Sequence, residues 1–358
     1  MIAPKHCISA ARLMVFLALG GGTAYAGYMF TTIDDPNAQF YPATFANAVN
    51  NSGQIVGSYS TAEFTSTGFL YNSGSFSDVT DTNFQFGSHT NSTFPNGINS
   101  SGVIVGSYNN FFGNRGFEYN AGTFTDITVA GSFGTYATGI NDSGQIVGYS
   151  YNGTIDNGFL DASGVFSTIS DPNAGSSFGQ GTFPWDINNS GVIVGYYIDS
   201  NNIVHGFIDQ NGVFTTLDDP QAGQTAGEGT YVLGINNLGQ VSGYYVVQGT
   251  GQDLGLDYHG FVYSNGAFTQ VDDPDALATG GTEVYKINDS GQLVGNYTCT
   301  TCGDNYQGFL ATLNNSGGSA TPEPSTWALL LLGLVMVKFF DHVHGCRRRS
   351  GQARPGGD

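Results

Sequence analysis

Positive charge is scarce in this chain: nine Lys and Arg stand against 28 Asp and Glu in 358 residues, a formal net charge of −19. Between residues 27 and 320 there are 25 acidic side chains against only Arg115 and Lys286, a formal charge of −23. A surface of that sign repels phosphate backbones and excludes nucleic acid as a partner. It attracts divalent cations, and it equally suits a solvated exterior that serves solubility alone. Cysteine is nearly absent, with four in all. Cys7 and Cys346 fall in terminal segments, so Cys299 and Cys302 lack the second pair that a zinc site needs. A redox Cys pair would open a helix after a strand, and that context is missing. In an oxidising compartment the two are read as a small loop disulfide. From residue 27 to 313 there is no apolar stretch with helical period. Nucleophile elbows, phosphate-binding loops and zinc-ligand motifs are also missing.

The ends carry targeting chemistry. Residues 1–26 read as a signal peptide: Lys5 and Arg12 give a positive start, Leu13 to Leu19 an apolar stretch, and Ala24-Tyr25-Ala26 a small-residue cleavage site. Residues 314–321 form a linker, after which Pro322-Glu323-Pro324 precedes an apolar run from Ala328 to Val337 and the cluster Arg347-Arg348-Arg349. Basic residues after an apolar run form a stop-transfer pattern with the arginines on the cytoplasmic side. The run alone is shorter than the ~20 apolar residues that usually cross a bilayer. Segment 322–358 resembles the PEP-CTERM sorting signal of Gram-negative bacteria. That resemblance implies a transient inner-membrane anchor, an exosortase-type processing partner, and delivery to the cell surface or an exopolysaccharide matrix. Lys338 and the stretch from Asp341 to Cys346 depart from the pattern. An ordinary membrane anchor is the alternative, and it too leaves the preceding residues outside the cytoplasm.

Between the ends the chain repeats itself with a period near 48 residues. Six copies of Asn, any residue, Ser or Leu, Gly, Gln or Val, an aliphatic, Val or Ser, and Gly begin at Asn50, Asn99, Asn141, Asn188, Asn236 and Asn288. A Thr precedes each Asn by six residues, from Thr44 to Thr282, and each copy continues to a Gly-Phe pair and then a Phe followed three residues on by an aliphatic. Each copy therefore predicts four short strands, here A (from Phe30 to Asp34), B (Thr44 to Val49), C (Gln54 to Tyr59) and D (Gly68 to Tyr71). Asn50-Asn51-Ser52-Gly53 is hairpin chemistry between B and C, because Gly supplies a positive φ and Asn tolerates it. D to A is as tight, whereas A to B takes about ten residues and is the natural passage between sheets. The order within a sheet is thus B, C, D, A. The last copy stops at Leu313 without an A strand, and the first A strand, Tyr28 to Asp34, is left over to complete it. The expected architecture for residues 27–313 is an all-β, six-bladed β-propeller of four-stranded antiparallel blades, its ring closed by the N-terminal strand.

Gly139-Ile140-Asn141-Asp142-Ser143-Gly144-Gln145-Ile146-Val147-Gly148-Tyr149, with His205-Gly206-Phe207 and His259-Gly260-Phe261, resembles the HAF-repeat extracellular proteins. The resemblance implies a surface location and brings no settled activity. Four copies lack the His, and all carry Gly where that family writes Ala, so no role passes to it.

Strand direction puts the A–B crossings and C–D loops at one end, which is where a binding surface is expected. Its recurrent chemistry is Asp followed by Pro, at Asp35, Asp171, Asp219 and Asp273. These oxygens could ligate Ca²⁺, or each Asp could cap the turn that Pro initiates, the simpler reading. Two copies break the internal consensus on strand B: Glu283 replaces an aromatic, and Asp186 and Lys286 replace Ala or Gly. Glu283 and Lys286 read as a local ion pair. Asp186 and Glu283 are the weak candidates for catalytic carboxylates in a propeller-type carbohydrate-active enzyme, whose acid and base roles depend on separation. The preferred reading is a non-enzymatic surface module that binds exopolysaccharide or surface proteins; the third is a purely structural or Ca²⁺-stabilised module.

Overall fold

The computed structural model describes residues 27–38, 44–61, 65–80, 92–110, 113–249, 255–277, 280–299 and 305–314. Ala24, Ala26, Cys302, Pro322, Glu323, Pro324 and Arg347 to Arg349 lie outside them, and with them the expectations about cleavage, the Cys299–Cys302 pairing and sorting. Among the described residues every regular element is a β-strand, and no helix is long and apolar enough to cross a membrane.

The chain begins with β1 (Tyr28–Ile33). Four-stranded meanders then follow: β2 (Thr44–Val49), β3 (Ile55–Ser60), β4 (Ser66–Asn72) and β5 (Ser75–Val79) make the first. The second is β6 (Ser92–Ile98), β7 (Ile104–Asn110), β8 (Gly113–Asn120) and β9 (Thr123–Ile127). The third is β10 (Gly134–Ile140), β11 (Gln145–Tyr151), β12 (Asp156–Ala162) and β13 (Val165–Ile169). The fourth is β14 (Gly181–Ile187), β15 (Ile193–Ile198), β16 (Val204–Gln210) and β17 (Val213–Leu217). The fifth is β18 (Gly229–Ile235), β19 (Val241–Gln248), β20 (Leu256–Ser264) and β21 (Ala267–Gln270). Last come β22 (Thr282–Ile287), β23 (Leu293–Cys299) and β24 (Asn305–Leu313).

Within each meander the strands pair in chain order. The third, fourth and fifth are additionally bridged into one 12-stranded sheet by single parallel contacts, Asp156 with Gly181 and Val204 with Gly229. β1 supplies the outer strand of the sixth sheet, running antiparallel to β24 with Tyr28 opposite Leu313 and Ile33 opposite Gly308. First and last strands are thus held in one sheet, as the leftover A strand requires.

Burial falls from the second strand outward. β23 is buried at every position, whereas β5 and β17 bury little besides their last residue. The second strand is apolar on both faces because a sheet packs on each side. Core clusters accordingly join neighbouring sheets: Ala46, Tyr59 and Phe69 of the first meander pack with Ile33 and Val294 of the sixth sheet. The Gly at the end of each consensus answers to close approach, since a Cβ on Gly57 would collide with the Phe45 carbonyl oxygen and the Phe69 ring.

The repeated polar residues hold the sheets to one another. The repeated Thr near the start of the inner strand accepts the backbone N–H of the crossing segment: Asp35 N meets Thr44 Oγ1 at 3.0 Å, Asp171, Asp219 and Asp273 repeat it with Thr182, Thr230 and Thr282, and Val129 N does so with Thr135. The first Asn of each hairpin accepts two backbone N–H groups of its own turn, as Asn50 does from Ser52 and Gln54. Its Nδ2 then donates to the carbonyl of the next copy's Asn. These bonds run Asn50 to Asn99, Asn141, Asn188, Asn236 and Asn288, and Asn288 Nδ2 returns to Asn50 O at 3.0 Å. A motif read as hairpin chemistry is also the fastening between neighbouring hairpins.

Candidate functional site

Each inner strand carries a β-bulge three residues before its Asn, at Asn47, Asn96, Thr138, Trp185, Leu233 and Tyr285. A bulge re-aims the side chains on either side of it, and this separates two positions that simple alternation would group. Residues after the bulge, Gly97, Gly139, Asp186, Gly234 and Lys286, come together where the inner strands converge. A Cβ on Gly139 would meet Asp186 and the Trp185 carbonyl, both within 2.9 Å. Lys286 crosses this confined space. Its Nζ lies 3.1 Å from Asp186 Oδ1 and donates to Trp185 O at 2.7 Å and Thr138 O at 3.3 Å. Asp186 Oδ2 accepts the Ile235 N–H at 3.0 Å. Burial pushes the Lys286 pKa down and that of Asp186 up, and the pair opposes both shifts. The expected Glu283–Lys286 pair is therefore corrected: the bulge at Tyr285 sends the two side chains to different places, and the Tyr285 hydroxyl donates to Glu283 Oε2 at 2.6 Å.

On the hairpin side of this pair lies a cavity of about 70 Å³ rimmed by the Asn ring and by Asn51, Ser100, Asp142, Asn189, Asn237 and Asp289. These rim side chains bond in sequence. Asp142 N meets Asn189 Oδ1, Asn189 N meets Asn237 Oδ1, Asn237 N meets Asp289 Oδ1, and Asp289 N meets Asn51 Oδ1, each at 2.8 or 2.9 Å. The rim is thus engaged in holding hairpins together.

At the opposite end, where the crossings lie, the residue before the bulge region and its cross-strand partner build an aromatic arc. Tyr136 stacks on Tyr149 at 4.7 Å; Tyr149 meets the edge of Phe183 at 5.1 Å and stacks near Trp185; Phe183 stacks on Tyr196 at 4.9 Å. Tyr196 touches Tyr231 at 5.0 Å, and Tyr231 stacks on Tyr244 at 4.8 Å, which reaches Tyr258. Burial raises the hydroxyl pKa along the arc, to about 12 for Tyr231 and well above the ordinary value for Tyr196 and Tyr244, so these groups stay neutral donors and acceptors. A carboxyl stands at each end. Asp156, lifted by burial to about 6, lies near Tyr149, and Glu283, also raised by burial, lies near Tyr244 and Tyr258. The arc was missed because Tyr149, Tyr196 and Tyr244 occupy a position that is Ser58, Ser107 and Asn296 elsewhere, a contrast visible only once the copies are aligned at that residue.

The crossing aspartates cap turns. Asp35, Asp171, Asp219 and Asp273 each accept, through Oδ1, the backbone N–H two residues on, at 2.8 or 2.9 Å. Among the described residues no group of three or more His, Cys, Asp or Glu could hold a metal ion. Burial raises the pKa of Asp273 to about 6 and also raises those of Asp35 and Asp219. His205 stacks on Tyr197, His259 lies tilted against Tyr245, and they bond Asp218 and Asp272 at 2.8 and 2.9 Å, which makes them packing elements of the third strand. Cys299 is disulfide-bonded.

No family model and no curated protein matches the chain. Among solved structures it is similar to an Aleuria aurantia lectin variant in complex with Fucα1-6GlcNAc, at 11% identity and TM-score 0.48 over 79% of this chain and 100% of that one. A protein of unknown function from Dyadobacter fermentans aligns at 9% identity and TM-score 0.48, over 80% and 99%. A third, a fungal lectin from Aleuria aurantia described as a six-bladed β-propeller, aligns at 12% identity and TM-score 0.45, over 73% and 88%. No residue role passes from them to this chain.

Proposed function

We propose that the chain is an exported six-bladed β-propeller, with four-stranded blades and a ring closed by the N-terminal strand, that binds a neutral polysaccharide through the aromatic arc and performs no catalysis. The closed cycle of hydrogen bonds from Asn50 round to Asn288 supports the ring, and the signal peptide and PEP-CTERM-like tail support export and sorting to a cell surface or matrix by an exosortase-type enzyme. The observation that carries the binding reading is the run of ring contacts from Tyr136 to Tyr258 at one end of the strands. Flat rings with neutral hydroxyls suit the apolar faces and hydroxyl edges of sugars. A domain with 25 acidic side chains repels sulfated or uronate chains, which narrows the ligand to a neutral glycan. Asp186 is spent on Lys286, so it is not free to act on a substrate.

Only Trp185 and Trp327 are tryptophans, so the Trp327→Phe chain reports on the arc alone. Titrating it with neutral matrix polysaccharides should give a saturable change in Trp185 emission that Tyr231→Ala weakens at least tenfold. An emission that no neutral glycan alters, while the protein remains folded, would overturn the reading.

A further inference from the structure

We propose that the third meander carries a separate cavity that binds a free, neutral, single-ring phenol, a site independent of the arc and of the glycan reading. The residue two positions after the consensus Gly is Tyr in five copies, Tyr59, Tyr108, Tyr197, Tyr245 and Tyr297, all 5% exposed or less. In the third copy it is Ser150.

In the first, fourth, fifth and sixth sheets the tyrosine ring packs with an Ala of the incoming crossing, and in every copy that has it the hydroxyl finds a partner. Tyr59 donates to Asp78 at 3.1 Å and Tyr108 to Asp126 at 2.8 Å on their outer strands; Tyr197 meets Thr216 at 3.4 Å, and Tyr297 meets Thr32 of β1 at 3.5 Å. The third copy keeps the receiving position as Thr168 but has no ring to reach it. A cavity of about 240 Å³ stands there, lined by Ser150, Phe159, Phe166 and Thr168, with Asn157 on the flank and Val129 to Ser132 of the crossing as its far wall. Folded interiors rarely tolerate such a space, and an engineered cavity of about 150 Å³ takes benzene.

The surroundings leave the gap open rather than closing it. In the first, fourth, fifth and sixth sheets an Ala of the crossing, Ala38, Ala174, Ala222 or Ala276, packs in the cluster that holds the tyrosine. The crossing into the third sheet runs from Ile127 to Thr135, the shortest of the set, and presents Gly131 and Ser132 instead. Phe159 and Phe166 are 5.6 Å apart, against 5.1 to 5.4 Å for the matching pairs elsewhere. Phe166 is 37% exposed, so the cavity opens beside the outer strand. Its walls hold phenyl faces, hydroxyls and amides and no charged side chain. That chemistry matches the group the other copies place there, a phenol.

The test is calorimetric titration of the full chain with p-cresol, the tyrosine side chain as a free molecule. A dissociation constant on the order of 0.1–1 mM is expected for a ligand of that size in a preformed cavity. Ser150→Tyr should restore the repeat, abolish binding and raise the melting temperature, and Ser150→Val should bind at least fivefold more weakly if the tyrosine variant does not fold. Trp185→Phe should leave cresol binding unchanged, which separates this site from the arc. No binding at 10 mM p-cresol, or binding that survives Ser150→Tyr, overturns the proposal.

Discussion

Replacing Lys286 by Met tests whether the buried pair is the fastener of the inner strands. The side chain is 4% exposed and its Nζ serves Asp186 Oδ1 and the Trp185 and Thr138 carbonyls. Met fits the volume but leaves Asp186 as an uncompensated charge in a confined space. Removing one partner of a buried pair costs about 3–5 kcal/mol. Residues 27–313 unfold with an entropy of about 0.6 kcal/mol/K, taking ~2.1 cal/mol/K per residue. The expected drop in melting temperature is therefore about 5–8 °C, measured by calorimetry at pH 7.5. Lys286→Met combined with Asp186→Ala removes the orphaned charge and restores the small residue of the other copies, so it should recover at least half of the loss. This non-additivity is the signature of a direct pair. A single variant that melts within 1 °C of the parent, or a double variant that is the sum of its singles, would refute the reasoning.

Two further perturbations address the turn and the ring. Asp273 is raised to about 6, first by burial and then by the charges of Asp275 and Asp272, against an ordinary value of 3.8. A folded pKa above the unfolded one means that the folded state holds its proton more tightly, so this group stabilises fully below pH 3.8 and the contribution is lost as pH rises through 6. Asp273→Asn keeps the oxygen that accepts the Asp275 N–H and loses the charge; it should raise the melting temperature at pH 7.5 and leave it unchanged at pH 4. Asn236→Ala removes two accepted backbone N–H groups and the donation to Asn288 O, and should destabilise by about 2–4 kcal/mol in denaturant titration, with Asn236→Asp failing to rescue because it keeps the acceptor and loses the donor.

The sequence by itself determined the strand content, the meander order and the pairing of the first strand with the last, because these follow from local facts. Tight turns dictate antiparallel neighbours, a long crossing dictates a new sheet, and a count of A strands against B, C and D sets leaves Tyr28 to Asp34 for Gly308 to Leu313. It also favoured capping over Ca²⁺ ligation for the Asp turns, since the acceptor and the N–H it meets lie two residues apart in the chain. Tertiary structure alone decided what the side chains face. A bulge at Tyr285 adds one residue to the inner strand and so sends Lys286 to Asp186, 100 positions away, instead of to Glu283. No pattern within one copy signals that insertion, because the bulged residue differs in kind from Asn47 to Trp185. The Asn ring and the aromatic arc have the same origin: each is a relation between residues of neighbouring copies, and only the packing of sheet on sheet brings those residues into contact.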